Sequence, residues 1–133
     1  MTREGTGEPQ AAVELGGTPV LVAREASGSV GRARLRDLVM EAHDQSATML
    51  ALDAAALEPA FFDLRSGVAG DLLQATVVYA MPLAIVGPLP APATASRAFT
   101  ALVRESNRGR DHWFVADLDE LAGRLATRTP ARG

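Results

Sequence analysis

The short run Leu83–Gly87, which reads LAIVG, constrains the fold of this chain more than any other feature. Its side chains are all apolar, so a strand formed by it would bury both of its faces. Such strands are typical of parallel sheets covered by helices, whereas a sheet with one wet face alternates polar and apolar residues. The run therefore predicts a buried strand of an α/β domain.

Strand and helix patterns alternate on both sides of this run. Two short apolar runs, Ala11–Leu15 and Pro19–Arg24, flank Gly16, Gly17 and Thr18, a sequence typical of a tight β-hairpin. The order β-β-α-β-α-β-α-β-α predicts a mixed sheet of about five strands whose later strands are parallel. The other predicted elements are a helix from a Ser29 N-cap to about Asp44, strand Thr48–Asp53, a helix ending near Tyr79, an unstructured proline-rich connection Pro88–Thr94, helix Ala95–Ser106, strand His112–Ala116 and helix Leu118–Ala126 behind an Asp117 cap.

The composition predicts one globular domain between two tails. Apolar residues make up 47% of the chain, enough for a core, whereas residues 1–10 are polar and glycine-rich. We expect flexible tails at 1–10 and 127–133 and a single domain over 11–126. The apolar run Ala80–Leu89 is too short for a membrane span, and nothing at the N-terminus resembles a signal peptide, so we expect a cytoplasmic protein.

Charge and residue usage argue against several classes of function. A formal charge of -3 argues against a nucleic-acid-binding protein, which usually carries a basic face. With no cysteine and two distant histidines, His43 and His112, the chain offers neither a thiolate nucleophile nor metal-ligand spacing. We therefore expect no cofactor, no metal and no enzyme activity. All 13 basic residues are arginines, which favours a GC-rich bacterial source.

The stretch from Phe61 to Tyr79 departs most from what a plain core requires. Asp63 and Ser66 are both candidate N-caps of the helix that follows. Gly67 and Gly70 fall in its first turns, although a glycine inside a helix costs about 1 kcal/mol relative to alanine. At helical spacing Ser66, Gly70 and Gln74 form one small, polar stripe. Free amides at a helix start, beside Arg65, also favour an anion.

Two interpretations of this stretch remain open. In the structural one Asp63 is a cap, the glycines allow close helix packing and Arg65 is solvated; in the functional one the same residues form a binding or switch surface. Glu105–Gly109 is likewise either a helix C-terminus or part of a basic edge. The candidate surface consists of Phe62, Asp63, Arg65, Ser66, Gly67, Gly70, Gln74, Gly87, Glu105, Asn107 and Arg108.

Several of these motifs resemble a bacterial family of unknown activity, domain of unknown function 4180. The similar motifs are Phe61–Gly67, then Gly70, Gln74 and Tyr79, the run Leu83–Gly87, and Glu105–Gly109. The resemblance covers the chain between its two tails.

The element order, the strand ending in Leu52-Asp53 and the Asp63–Gly67 loop before a helix also resemble the STAS domain of anti-sigma-factor antagonists. In that family a loop serine is phosphorylated by a partner kinase, which switches partner binding. The resemblance implies that Asp63 matches the family's loop acid, Ser66 the switched serine and Gly67 the glycine.

We therefore expect a STAS-like regulatory or protein-interaction module with an unidentified protein partner, switched by phosphorylation at Ser66. The alternative is a sensor of a small anionic ligand or nucleotide, held at the N-terminus of the helix after Ser66. A homodimer through the edge strand Ala11–Leu15 also stays open.

Overall fold

A computed structural model describes residues 11–128 of the 133-residue chain, so the tail predicted at 1–10 and residues 129–133 of the tail predicted at 127–133 lie outside the described residues. The last helix ends at Arg128, so Thr127 and Arg128 are helical where a tail was expected. The strands are β1 (Ala12–Leu15), β2 (Thr18–Ala23), β3 (Met49–Asp53), β4 (Leu83–Val86) and β5 (His112–Val115); the helices are α1 (Arg32–Asp44), α2 (Val68–Val78), α3 (Ala91–Thr94), α4 (Arg97–Arg108) and α5 (Leu118–Arg128).

The sheet has five strands in the order β1-β2-β3-β4-β5, with β1 antiparallel to β2 and the other neighbours parallel. This confirms the predicted mixed sheet and the predicted succession of strands and helices. All four residues of β4 are buried, as its sequence indicates. The resemblance to the STAS domain stays a prediction.

The β1–β2 hairpin closes through Gly16 and Gly17, whose φ angles are +55° and +84°. Two consecutive residues at positive φ are what a two-residue type I′ turn requires, and glycine adopts them without strain. The turn sets the register, in which Leu15 lies opposite Thr18 and Val13 opposite Val20.

Two further predictions, the start of α1 and the absence of structure in the proline-rich connection, are wrong. Helix α1 begins at Arg32 behind Gly31, not behind Ser29, because Val30 forms a parallel bridge with Leu57 before the helix starts. The Ser29 hydroxyl instead donates to the Ala26 carbonyl at 2.6 Å. The proline-rich connection, expected to be unstructured, contains the short helix α3.

The predicted cap of α5 is confirmed. Asp117 Oδ1 accepts a hydrogen bond from the Glu120 amide at 2.8 Å. Glu120 Oε1 in turn accepts from the Ala116 amide at 2.7 Å, so side chains satisfy backbone donors on both sides of the helix start.

Side chains on the two faces of the sheet form two separate cores. On one face, Leu35 of α1, Leu72 of α2 and Phe99 of α4 pack against strand residues such as Leu50 and Ile85. On the other face, α5 is the one helix of the described chain that contributes core residues, with Leu121 and Leu125 packed on residues that include Val20, Met49 and Trp113.

Helix α5 reaches from β5 back to the hairpin at the other edge of the sheet. A Cβ atom at Gly16 would collide with the carbonyl oxygen of Ala122 and would lie 2.6 Å from the backbone nitrogen of Ala126. Helix α5 therefore packs directly against the β1–β2 turn.

Candidate functional site

The loop between β3 and α2 is held in place by backbone hydrogen bonds to the loop before α1. The amides of Gly28 and Val30 donate to the carbonyls of Ala55 and Ala56, both at 2.8 Å, and the Glu58 amide donates to Val30 at 3.1 Å. Within this loop the chain forms three short 3-10 turns, Ala54–Ala56, Pro59–Phe62 and Leu64–Ser66. The residues before α2 are therefore well positioned by the fold.

Phe62 belongs to the core and not to the exposed part of the candidate surface. Its side chain is 6% exposed, and its ring centroid lies 5.1 Å from that of Phe61 and 5.7 Å from that of Phe99. Phe99 in turn contacts Phe114 of β5, with centroids 6.0 Å apart. Contacts among these four rings hold the loop against α4 and the sheet. Aromatic pairs at such centroid distances stabilise a fold by more than their buried area alone provides.

Asp63 and Ser66 both accept hydrogen bonds from nearby backbone, although neither is the N-cap of α2. Asp63 Oδ1 accepts from the Arg65 amide at 3.2 Å and so caps the 3-10 turn Leu64–Ser66. Ser66 Oγ donates to the Ala60 carbonyl at 2.7 Å and accepts from the Val68 amide at 3.1 Å. The N-cap is Gly67, at a φ of +82°, because the chain turns through the left-handed region before the helix begins.

The predicted polar stripe on α2 faces solvent. Ser66, Gly70 and Gln74 are all exposed. A Cβ atom at Gly67 or at Gly70 would meet no heavy atom within 4 Å. Farther along the same helix, Val77 and Val78 are 45% and 70% exposed. The exposed face of α2, defined here by Ser66, Gly67, Gly70, Gln74, Val77 and Val78, is therefore flat at its start and apolar at its end.

Arg65 and Gly87 lie at the carboxyl edge of the sheet, where parallel strands enter their loops. The Arg65 side chain is 96% exposed, and its Nε lies 3.9 Å from Asp63 Oδ1, a weak, solvated pairing. Gly87 follows β4 at a φ of +108°, and its amide donates to the Val115 carbonyl at 2.9 Å. Because β3 and β4 are parallel neighbours, the loop that carries Arg65 and the Gly87 turn share this edge.

The structure does not bring Glu105, Asn107 and Arg108 to this edge. They lie in the last turn of α4, which ends at the amino edge of the sheet, and α4 has 12 residues, about 18 Å of helix. Arg108 Nη1 and Glu105 Oε2 are 3.8 Å apart on an exposed surface. These residues are separate from the exposed face of α2.

Asn107 has a structural role that its sequence context did not reveal. Its Oδ1 accepts from the Phe114 amide at 2.7 Å, and its Nδ2 donates to the Phe114 carbonyl at 3.2 Å. β5 is an edge strand, so the side-chain amide acts as a paired strand would and satisfies both backbone groups. Asn107 is helical and belongs to the last turn of α4.

Sequence reasoning also missed a contact network behind Asn107. The guanidinium of Arg124 on α5 lies 4.2 Å from the centre of the Trp113 ring and donates to the Asn107 carbonyl at 2.7 Å. Trp113 Nε1 donates to the Gly109 carbonyl at 2.8 Å. The network joins α4, β5 and α5, and its contacts depend on how these elements pack, which the sequence pattern alone does not show.

His112 is part of a second polar contact and is half-buried. Its Nε2 lies 2.9 Å from both Thr76 Oγ1 and the Leu73 carbonyl of α2, and Thr76 Oγ1 donates to that same carbonyl at 2.8 Å. Burial lowers the pKa of His112 below its ordinary value of 6.5, since it disfavours the charged imidazolium. Because the Leu73 carbonyl can only accept, His112 Nε2 donates to it, and the ring links α2 to β5.

In the part of the chain that the structure describes, no three His, Asp or Glu side chains gather closely enough to hold a metal ion. Within residues 11–128, none of the helices has the length and apolar character that crossing a bilayer requires.

Comparison with known families gives one match. The family described as Domain of unknown function (DUF4180) matches residues 16–125, which include every strand from β2 to β5 and the whole exposed face of α2. No curated protein and no solved structure matches the chain.

Proposed function

The chain belongs to the DUF4180 family, and we propose that it is a regulatory protein-interaction module of STAS-like architecture. It binds a protein partner through the exposed face of α2, and phosphorylation of Ser66 switches that binding. The observation that carries this proposal is the open space above Gly70.

Gly70 lies inside α2, where a glycine costs about 1 kcal/mol relative to alanine. Close packing within the chain does not explain it, because a Cβ atom there would meet no described heavy atom within 4 Å. Its backbone is helical, so no positive φ requires glycine either. Gly123 inside α5 is equally open, but Gly70 shares its helix with the exposed apolar side chains of Val77 and Val78, and no large apolar side chain is exposed on the described part of α5. We infer that the flat surface at Gly70 lets another molecule approach the backbone beside these valines.

The rest of α2 supports binding of a protein. Val77 and Val78 expose apolar surface at the end of the same helix, and Met40 on the neighbouring helix α1 is 55% exposed. One charged pair lies beside these residues, where Arg32 Nη1 is 2.9 Å from both carboxylate oxygens of Asp71. Exposed apolar side chains grouped on neighbouring helices are typical of a surface that meets another protein.

Ser66 is suited to a switch because its side chain is exposed at the start of α2. Phosphorylation removes the hydrogen that Ser66 Oγ donates to the Ala60 carbonyl and adds about -1.5 to -2 charges beside Gly67 and Gly70. The first-turn amides of α2 and the nearby Arg65 favour this charge on the protein itself. The same charge would repel an acidic partner or attract a basic one.

The test is a pull-down from lysate of the source organism with five immobilised baits: wild type, Gly70→Arg, Gly123→Arg, Ser66→Glu and Ser66→Ala. Gly123 is the matched control, because it is an exposed glycine inside α5 whose Cβ would also meet nothing within 4 Å. We expect one partner to be retained by the wild type and by Gly123→Arg and lost by Gly70→Arg.

Ser66→Glu should change the amount of that partner relative to Ser66→Ala, and mass spectrometry of the natural protein should find phosphate on Ser66. Equal retention by Gly70→Arg and the wild type would contradict the binding surface. Equal retention by the two Ser66 variants would contradict the switch and leave the surface intact.

The second candidate function is the anion sensor, favoured by the open helix start beside Arg65. It predicts that phosphate or a carboxylate raises the melting temperature of the wild type and not of Arg65→Gln. We prefer the interaction module because the Arg65 guanidinium is almost fully solvated and already faces Asp63.

A further inference from the structure

A cleft of about 350 Å³ lies where α3 meets α4, away from the exposed face of α2. Two arginines, three hydroxyl side chains and two alanines line it. Its volume is near the lower end of small-molecule sites, which begin near 300 Å³, and it is an open cleft, because six of its seven lining residues are exposed. Because Gly87 leads from β4 into α3, the start of the cleft belongs to the carboxyl edge of the sheet, where open α/β sheets collect their ligands.

Arg97 and Arg104 give the cleft a positive charge. Within residues 11–128, no ion pair or hydrogen bond occupies either guanidinium. They are seven residues apart on α4, which places them on one side of the helix about 10.5 Å apart along its axis. Two unpaired arginines facing one cleft contrast with the formal charge of -3 of the whole chain.

The hydroxyl groups divide into one donor and two acceptors. Ser96 Oγ caps α4 by accepting from the Phe99 amide at 3.0 Å, which leaves its own hydrogen available. Thr94 and Thr100 already donate, to the Ala91 carbonyl at 3.2 Å and the Ser96 carbonyl at 2.9 Å. Their oxygens can still accept, since a hydroxyl has two lone pairs.

We propose that this cleft binds a small molecule carrying a phosphate or carboxylate group. Arg97, Arg104 and the Ser96 hydroxyl donate to the anionic oxygens, because guanidinium donors match the geometry of both groups. Thr94 and Thr100 accept from neutral hydroxyl or amine groups of the same ligand. The site is independent of the proposed function of α2 and of Arg65.

The test is a titration of the 15N-labelled chain, followed by backbone amide shifts, with inorganic phosphate in one arm and succinate in the other. Sodium chloride keeps the ionic strength constant and serves as the blank. We expect saturable shifts of the amides from Thr94 to Arg104 with one or both anions, and the arm that saturates at lower concentration identifies the preferred group.

Three variants test the assignment. Arg97→Gln combined with Arg104→Gln should weaken binding at least roughly tenfold, since charge-assisted hydrogen bonds are lost. Ala101→Phe, at an exposed position that lines the cleft, should block binding while both arginines remain. Arg65→Gln should leave the affinity unchanged.

Shifts that rise linearly with the concentration of either anion, without saturation, would overturn the proposal. An affinity of the double arginine variant equal to that of the wild type would do so as well. So would saturable shifts confined to Ser66–Gly70 that Arg65→Gln removes, and that result would support the sensor at α2 instead.

Discussion

Replacing Gly16 by alanine tests how α5 is held against the hairpin. A Cβ atom at this position would collide with the backbone of Ala122 and Ala126, which cannot rotate away as a flexible side chain could. Gly17 provides a matched control, because its φ is also positive but a Cβ atom there would meet nothing within 4 Å. Gly17→Ala therefore introduces strain alone, and Gly16→Ala introduces strain and a collision.

The magnitudes follow from these contacts. An alanine at positive φ costs about 1–2 kcal/mol, so we expect Gly17→Ala to lower the free energy of unfolding by this amount. In Gly16→Ala α5 must also move from the sheet, which exposes part of Leu121 and Leu125, both 0% exposed in the native fold. Because a fully buried leucine contributes about 1.5–3 kcal/mol, we expect a total loss of about 3–5 kcal/mol.

Urea denaturation of the two variants and the wild type measures this difference, and thermal melts give an independent check. For a chain of this length a gap of about 3 kcal/mol corresponds to roughly 10 °C in the melting temperature. Equal losses in the two variants would refute the contact between α5 and the turn. An unchanged Gly17→Ala together with an unchanged Gly16→Ala would refute the type I′ turn as well.

Two other contacts predict the direction in which the free energy of unfolding changes. Asn107→Ala leaves the Phe114 amide and carbonyl without partners, so it should lower the free energy of unfolding by about 1.5–3 kcal/mol in urea, while Arg108→Ala on the exposed side of the same turn should change it little. Because the pKa of His112 is lowered on folding, the unfolded chain binds more protons below its ordinary value of 6.5, and stability should fall as the pH drops through that value. His112→Gln should reduce this loss between pH 7.5 and 5.5, and an unchanged slope would contradict the burial of the ring.

The sequence predicts the fold well because its signals are local and repeated. The apolar run of β4, the glycine pair of the hairpin and the Asp117 cap each correspond to one element in the structure. The start of α1 was missed because the decisive contact, the bridge of Val30 to Leu57, joins residues 27 positions apart. No local pattern contains that contact.

The sequence predicted only the part of the candidate surface that depends on local periodicity. Ser66, Gly70 and Gln74 share an exposed face, because helical periodicity alone places them there. Phe62 and Asn107 carry residue types that suit a binding site, yet one packs among aromatic rings and the other caps an edge strand. Exposure depends on tertiary contacts, which residue type does not specify.

The structure gives different reasons for glycines that look alike in the sequence. Gly16 is required by the backbone of α5 beside it, and Gly67 by its positive φ before α2. Gly70 is required by neither, since its backbone is helical and the space above it is open. Gly123 in α5 is equally open, so openness alone does not mark a binding surface; what distinguishes Gly70 is that Val77 and Val78 of the same helix are exposed as well. The case for an interacting surface on α2 therefore depends on a glycine that the fold does not require and on apolar side chains that the fold leaves exposed.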